Sequence, residues 1–224
     1  SFEVVTEVDR ASEKLIVEAI RAYAPDHAIL AEEGSGIEQD SEYLWLIDPL
    51  DGTNNYAHSF PYFSVSIALL HKGELYLGIV YDPTRDELFT AERGRGAYCN
   101  NRRIHVSNIE SLGASLASTG FSYNYANVAS NNLPEFDRIQ SRSHGVRRAG
   151  SAAMDLAYVA IGRLEAHWEY RLQAWDSAAG ATLVLEAGGT LTTLEGQKWT
   201  PWSNTIVASN TNIHNELMNA LQGE

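Results

Sequence analysis

The sequence predicts a layered α+β protein, and three observations lead there. Helical and strand patterns are mixed along the chain, a long central stretch reads as an antiparallel meander, and no internal repeat or low-complexity tract is present. At 224 residues, with 44% hydrophobic and 20% charged residues, the composition is that of a soluble globular protein. Folding of such a chain hides roughly 70% of the surface of its unfolded form, so a sizeable core is expected in one or two domains. A boundary near Ser107 to Leu112 divides the chain into an N-terminal part, 1–110, and a C-terminal part, 111–224.

Each element has its own signal. Leu15, Ile16, Ala19, Ile20 and Tyr23 fall on one helical face of Ala11 to Tyr23, Pro25 stops the pattern, and Asp9 stands where an N-cap belongs. The apolar runs Ala28 to Ala31 and Tyr43 to Ile47 read as strands, each ending in carboxylates. From Tyr62 to Val106, β-rich runs alternate with turn signals at Lys72-Gly73, Asp82-Pro83-Thr84 and Asn100-Asn101. Tyr123 to Ser143 is polar and without clear periodicity. There follow a helix from Ser151 to Arg163, a strand from Leu164 to Tyr170, and a helix from Asp176 to Ala187 closing on Gly188-Gly189. Strands Thr190 to Leu194 and Thr205 to Ala208 and a terminal helix from Ile213 complete the pattern.

Charge narrows the function. Sixteen basic against 29 acidic residues give a net charge of −13, which repels a nucleic-acid backbone and anionic lipid, so direct contact with either is not expected. An acidic protein handling an anionic substrate needs bound cations to reverse the sign locally. The lone Cys99, in a predicted hairpin, rules out an internal disulfide and makes the cytoplasm the expected compartment. No apolar stretch approaches the roughly 20 residues that cross a bilayer, and no secretory leader pattern is visible. Arg147-Arg148 could attract phosphate or stand solvated, and Trp168, Trp175, Trp199 and Trp202 read as core or rim packing.

The strongest local signal is Trp45-Leu46-Ile47-Asp48-Pro49-Leu50-Asp51-Gly52-Thr53-Asn54, an apolar strand running into two carboxylates three residues apart. Pro49 fixes φ and Gly52 permits a bend, so both Asp side chains and the Leu50 carbonyl can aim at one point, an all-oxygen cage suited to Mg²⁺. N–H groups of a helical turn opening at Thr53 and Asn54 would face an anion. Glu32 and Glu33, at the end of another strand, could join the cage, although alone they read as a solvated pair. Asp9 and Asp176 each precede a helix and are accounted for singly by capping. Together, carboxylates gathered without cations would raise one another's pKa, and divalent ions relieve that repulsion, which points to metal-dependent phosphate ester hydrolysis.

These residues resemble the magnesium-dependent, lithium-sensitive inositol monophosphatase family, in its bacterial form. The resemblance rests on Trp45 to Asn55 continuing through Tyr56-Ala57-His58-Ser59-Phe60-Pro61, and on Trp175-Asp176-Ser177-Ala178-Ala179-Gly180 with Glu186-Ala187-Gly188-Gly189 downstream. Gly150-Ser151-Ala152-Ala153, Val5-Thr6-Glu7-Val8-Asp9 and Ala31-Glu32-Glu33 add to it, and it is weakest in Tyr123 to Ser143. The family implies a layered α-β-α-β-α sandwich of the inositol monophosphatase and fructose-1,6-bisphosphatase type. It also implies a helical segment before the stretch matching Ser1 to Asp9, and a homodimer. Glu3 stands where many relatives have Asp, and Ala174 where animal relatives have Cys.

By the same resemblance, Glu32, Asp48, the Leu50 carbonyl, Asp51 and Asp176 would bind two or three Mg²⁺ ions, with the main site in the N-terminal part and Asp176 supplied by the C-terminal part. Asp9, Thr53 and Glu32 would serve the attacking water. Gly52 and Thr53 N–H groups would hold phosphate, and Gly150, Ser151, Ala152, Glu169 and Asp176 would face the alcohol. The implied substrate is myo-inositol monophosphate or a similar polyol phosphate. Histidinol phosphate, fructose 1,6-bisphosphate, a 3′-phosphonucleotide or NADP are alternatives with the same chemistry. A regulatory protein that binds transcription machinery is the alternative outside enzymology. The sequence holds no G-x-S-x-G, H-E-x-x-H, C-x-x-C or P-loop, and its seven His are scattered.

Overall fold

The computed structural model describes residues 6–37, 39–121 and 131–224; Val5, Glu3 and the first part of the polar stretch after Tyr123 lie outside the described residues. Helix α1 (Glu7–Tyr23) begins earlier than the sequence predicts, because Thr6 and not Asp9 is its N-cap. The Thr6 hydroxyl accepts from Val8 N (3.2 Å), and Asp9, third in the helix, accepts from Thr6 N (2.8 Å), a capping box. The buried stripe is Asp9, Glu13, Val17 and Ile20, while Leu15 and Tyr23 are exposed. The predicted apolar face is therefore rotated, because two carboxylates occupy inward positions that a hydrophobic pattern assigns to the surface.

Seven strands follow in an unbroken spatial order: β1 (Ala28–Ala31), β2 (Tyr43–Asp51), β3 (Ser64–His71), β4 (Glu74–Asp82), β5 (Glu87–Glu92), β6 (Gly96–Cys99) and β7 (Arg102–Ile104). β1 runs parallel to β2, and every later pair is antiparallel, as the predicted meander requires. β2 continues past the predicted Ile47 to Asp51, with an irregular register between Asp48 and Asp51 that bends the strand end. The short α2 (Thr53–Ala57) follows directly.

The second sheet holds β8 (Leu116–Thr119), β9 (Gly145–Arg147), β10 (Ala166–Tyr170), β11 (Thr190–Thr192) and β12 (Thr205–Ser209), in the order β11-β12-β10-β8-β9. Helix α3 (Leu133–Gln140) lies in the stretch where the sequence shows no clear pattern. Helices α4 (Ala152–Ala160), α5 (Ala174–Glu186) and α6 (His214–Gln222) complete the chain.

Alternation along single strands sets the layers. Leu46 of β2 faces the large core formed with Leu156, Leu183, Val184 and Ile206, whereas Ile47 faces α1 with Val17 and Ile20. In β12, Ile206 and Ala208 join that same large core, while Val207 packs with Trp168, Ile139 and Leu217 beneath α3 and α6. The order is thus α1, first sheet, α4 and α5, second sheet, α3 and α6, five layers alternating helix and sheet. Among the described residues no helix is long and apolar enough to cross a membrane. Cys99 is buried in β6; Trp168 and Trp199 are buried, and Trp202 is exposed.

Candidate active site

The end of β2 makes one wall. The bent Asp-Pro-Leu-Asp segment buries Asp48, whose Oδ1 accepts from Leu50 N (2.9 Å). Gly52 then turns the chain into α2 with φ 97°; a Cβ there would stand 3.1 Å from the Tyr62 carbonyl and 3.2 Å from that of Gly150, so only glycine fits the corner. Thr53 opens α2, and its hydroxyl lies 3.0 Å from both Asp9 Oδ1 and the Leu50 carbonyl. α1 is thereby tied to the strand end 44 residues later in the sequence.

The second half meets this wall through Asp51. Its Oδ2 accepts from Ser151 Oγ (2.6 Å) and Ala153 N (2.7 Å), so the start of α4 is docked on it. Asn55 Nδ2 donates to the carbonyls of Tyr62 (2.7 Å) and Ala149 (2.8 Å), stitching α2 to the Gly150 turn. α5 enters with Asp176 at its third position. Its N-cap is Gln173, so here too the predicted capping role is corrected: Asp176 Oδ2 accepts from Gln173 N (2.7 Å) in a second capping box.

These walls enclose a cavity of about 710 Å³. Glu32, Asp48, Leu50, Asp51, Gly52 and Thr53 line it from the first half, and Gly150, Ser151, Ala152, Glu169 and Asp176 from the second. Asp9 stands behind Thr53 and is buried. Arg148 and Arg171 also reach the cavity. Of the predicted Arg147-Arg148 pair, Arg147 is exposed on β9.

Crowding of acids shapes the electrostatics. Burial, followed by repulsion from Asp51, Glu32 and Asp176, holds the Asp48 carboxyl well above the usual carboxylate range. Asp176 is raised in the same way by burial and then Asp51. Burial pushes Glu32 up to about 7, and Asp51 up to about 6 despite the Ser151 and Ala153 hydrogen bonds that favour its charged form. Among the described residues, no three His, Cys, Asp or Glu side chains already stand as a ready metal-ligand group. The chemistry of the donor set nevertheless fits a hard divalent ion, since four carboxylates and one carbonyl are all oxygen and their repulsion is what a cation relieves.

Other contributors carry no signature in the sequence. Glu13 is buried in α1, and its carboxylate accepts from Glu33 N (2.7 Å) and Ser35 N (2.8 Å), fixing the turn that presents Glu32. Asp155 of α4 lines the cavity and accepts from Tyr62 Oη at 2.7 Å. Glu13 could be found only as a carboxylate at i+4 from Asp9 on one helical face.

Comparison with known proteins agrees over the whole chain. The model of the inositol monophosphatase family matches residues 1–224. A Pseudomonas aeruginosa protein named Nus factor SuhB is 48% identical over 225 residues, covering 98% of this chain and 83% of that protein. A Synechocystis protein named inositol-1-monophosphatase is 47% identical over 220 residues, 98% of this chain and 77% of its own length. The solved structure of inositol monophosphatase from Anabaena (Nostoc) sp. superposes with a TM-score of 0.94 at 47% identity, covering 97% of this chain and 87% of that one. A layered α+β fold, a site closed by both halves of the chain and this similarity together lead to one statement: the chain belongs to the inositol monophosphatase family.

Proposed function

We propose that this protein is a Mg²⁺-dependent phosphomonoesterase that hydrolyses myo-inositol monophosphate or a similar polyol phosphate by direct attack of water on phosphorus. The observation that supports it is a single one: carboxylates from the turn after β1, from β2 and from α5 line one cavity, where burial and then mutual repulsion hold their pKa up. Glu32, Asp48, the Leu50 carbonyl, Asp51 and Asp176 would hold two or three Mg²⁺ ions, with Asp176 brought to a site built mainly by residues 1–110. Bound there, the ions would supply Lewis acidity to the phosphoryl and leaving oxygens and lower the pKa of water.

The chain's own residues supply position. The Thr53 hydroxyl has one hydrogen, shared between Asp9 Oδ1 and the Leu50 carbonyl, so its oxygen lone pairs remain to orient the attacking water. Glu32, a carboxylate on the cavity wall, would serve the attacking water as a hydrogen-bond acceptor. Gly52 and Thr53 N–H groups and Arg148 would hold the phosphate. Gly150, Ser151, Ala152, Glu169 and Asp176 would face the alcohol, with Glu169 accepting from a hydroxyl. Inhibition by Li⁺, a homodimer and a cytoplasmic setting come with the family reading. Binding to transcription machinery is the second reading, brought by the name Nus factor SuhB of one relative and by no feature described above.

The test is phosphate release from inositol 1-phosphate with and without Mg²⁺. Turnover in Mg²⁺ that stops with excess chelator is expected; turnover that persists overturns metal catalysis. The same assay across histidinol phosphate, fructose 1,6-bisphosphate, a 3′-phosphonucleotide and NADP ranks the alcohol.

A further inference from the structure

β10 carries His167 and Glu169 two residues apart, hence on one face of the strand, while Trp168 between them turns into the core beneath α3 and α6. Glu169 lines the cavity, and His167 lies behind it without solvent exposure. The imidazole stands between two carboxylates. Its Nδ1 is 3.7 Å from Asp155 Oδ2 and 3.0 Å from Ser118 Oγ of β8, and its Nε2 is 3.5 Å from Glu169 Oε2. The Glu169 contact is one of charge, for Nε2 has no hydrogen-bond partner among the described residues. A fully buried, unpartnered ring nitrogen therefore stands behind the carboxylate that lines the alcohol end of the site.

The space for that carboxylate comes from the neighbouring strand. Ser118 pairs with His167 across the parallel β8–β10 ladder, and Gly120 follows two residues on, beside Glu169. A Cβ at Gly120 would fall 1.9 Å from Glu169 Oε1 and 2.2 Å from its Cδ, which no rearrangement short of moving the carboxylate can accommodate.

We infer that His167 and Gly120 are positioning residues that fix the Glu169 carboxylate as the element recognising a polyol, His167 by setting its imidazole charge behind that carboxylate and Gly120 by leaving the space it fills. The inference rests on the phosphatase reading above. Glu169 and Asp155 outweigh the effect of burial and raise the His167 pKa, so the ring carries its charge over more of the pH range. The charge behind Glu169 then holds the carboxylate in one orientation, with its lone pairs left for substrate hydroxyls. An ester whose alcohol carries no hydroxyl gains nothing from this arrangement.

Steady-state kinetics at saturating Mg²⁺ with inositol 1-phosphate and 4-nitrophenyl phosphate test it, on wild type, Glu169→Gln, His167→Phe, Gly120→Ala and the double variant His167→Phe/Glu169→Gln. His167→Phe is expected to raise KM for inositol 1-phosphate about tenfold with kcat within about twofold, and to leave 4-nitrophenyl phosphate unaffected. Gly120→Ala should reproduce that selective loss. In the Glu169→Gln background, His167→Phe should add less than about a twofold change, because its effect passes through Glu169. The inference is overturned if a folded His167→Phe leaves the preference between the two esters unchanged, or if the two substitutions multiply. Should His167→Phe not fold, Gly120→Ala decides by the same preference. A wild type that hydrolyses neither ester overturns the phosphatase reading and this inference together, whereas an active wild type with unaffected variants overturns this inference alone.

Discussion

Helices α1 and α5 begin with the same device and use it for different ends. Each has a capping box with an aspartate at its third position, Asp9 in one and Asp176 in the other. In α1 both oxygens are engaged: Oδ2 takes the Thr6 N–H and hydroxyl, and Oδ1 takes the Thr53 hydroxyl. In α5, among the described residues, only Oδ2 is engaged, by Gln173 N, and Asp176 lines the cavity beside Asp51. A carboxylate with both oxygens held by protein donors is a fixed anchor, while one held by a single N–H keeps an oxygen for something else. The capping box thus fixes the direction of an acid as well as the start of a helix.

Replacing the two acids should separate these roles. Asp176→Asn is expected to lower turnover by about 10³-fold and to reduce the stabilisation that Mg²⁺ gives in thermal melts, with the metal-free fold little changed. Asp9→Asn should lower turnover by about 10²-fold through Thr53 and lower the melting temperature, while Mg²⁺ still stabilises the protein. Equal loss of Mg²⁺ stabilisation in both variants would erase the distinction.

The next effect depends on pH. Glu32 and Asp51 have folded pKa values of about 7 and about 6, above the unfolded values, so the native protein binds more protons than the unfolded chain between them. Metal-free stability should therefore fall as pH rises from 6 to 8, and Mg²⁺ should flatten the trend. His214, whose pKa burial lowers, acts in the opposite sense, and its contribution is lost as pH falls below about 6.5. A metal-free melting temperature that climbs from pH 6 to 8 would contradict the acid cluster. The smallest effect belongs to Thr6→Ala, which removes the α1 cap and should cost about 1 kcal/mol in denaturant unfolding, with far less loss of turnover than Asp9→Asn.

How much of this could be read in the chain varies with how local the cause is. The β2 end was legible because Asp48, Pro49, Asp51 and Gly52 are contiguous and each has its own backbone reason to be there. The meander was legible through its turns. Asp9 and Asp176 were visible near helix starts, but the cap was misplaced in both, because Thr6 and Gln173 take the capping position and the acids answer from one turn inside. The inward stripe of α1 was misread because Glu13 is buried to hold the Glu32 turn, a cause located in residues 33 and 35 and not in the helix. Asp155, His167 and Gly120 carry no local mark at all. Their significance arises when β8, β10 and α4 meet, a long-range pairing that no short window contains.

The most direct test of the central claim, that these acids form one nest for cations, is calorimetric titration of Mg²⁺ into the metal-free wild-type protein and Asp176→Asn at pH 6.5 in buffers of different ionisation enthalpy. The account predicts binding of at least two ions to the wild type with release of protons from Glu32 and its neighbours, and a weakened or missing site in the variant. Absence of saturable binding by the wild type, or identical titrations for both proteins, would contradict it.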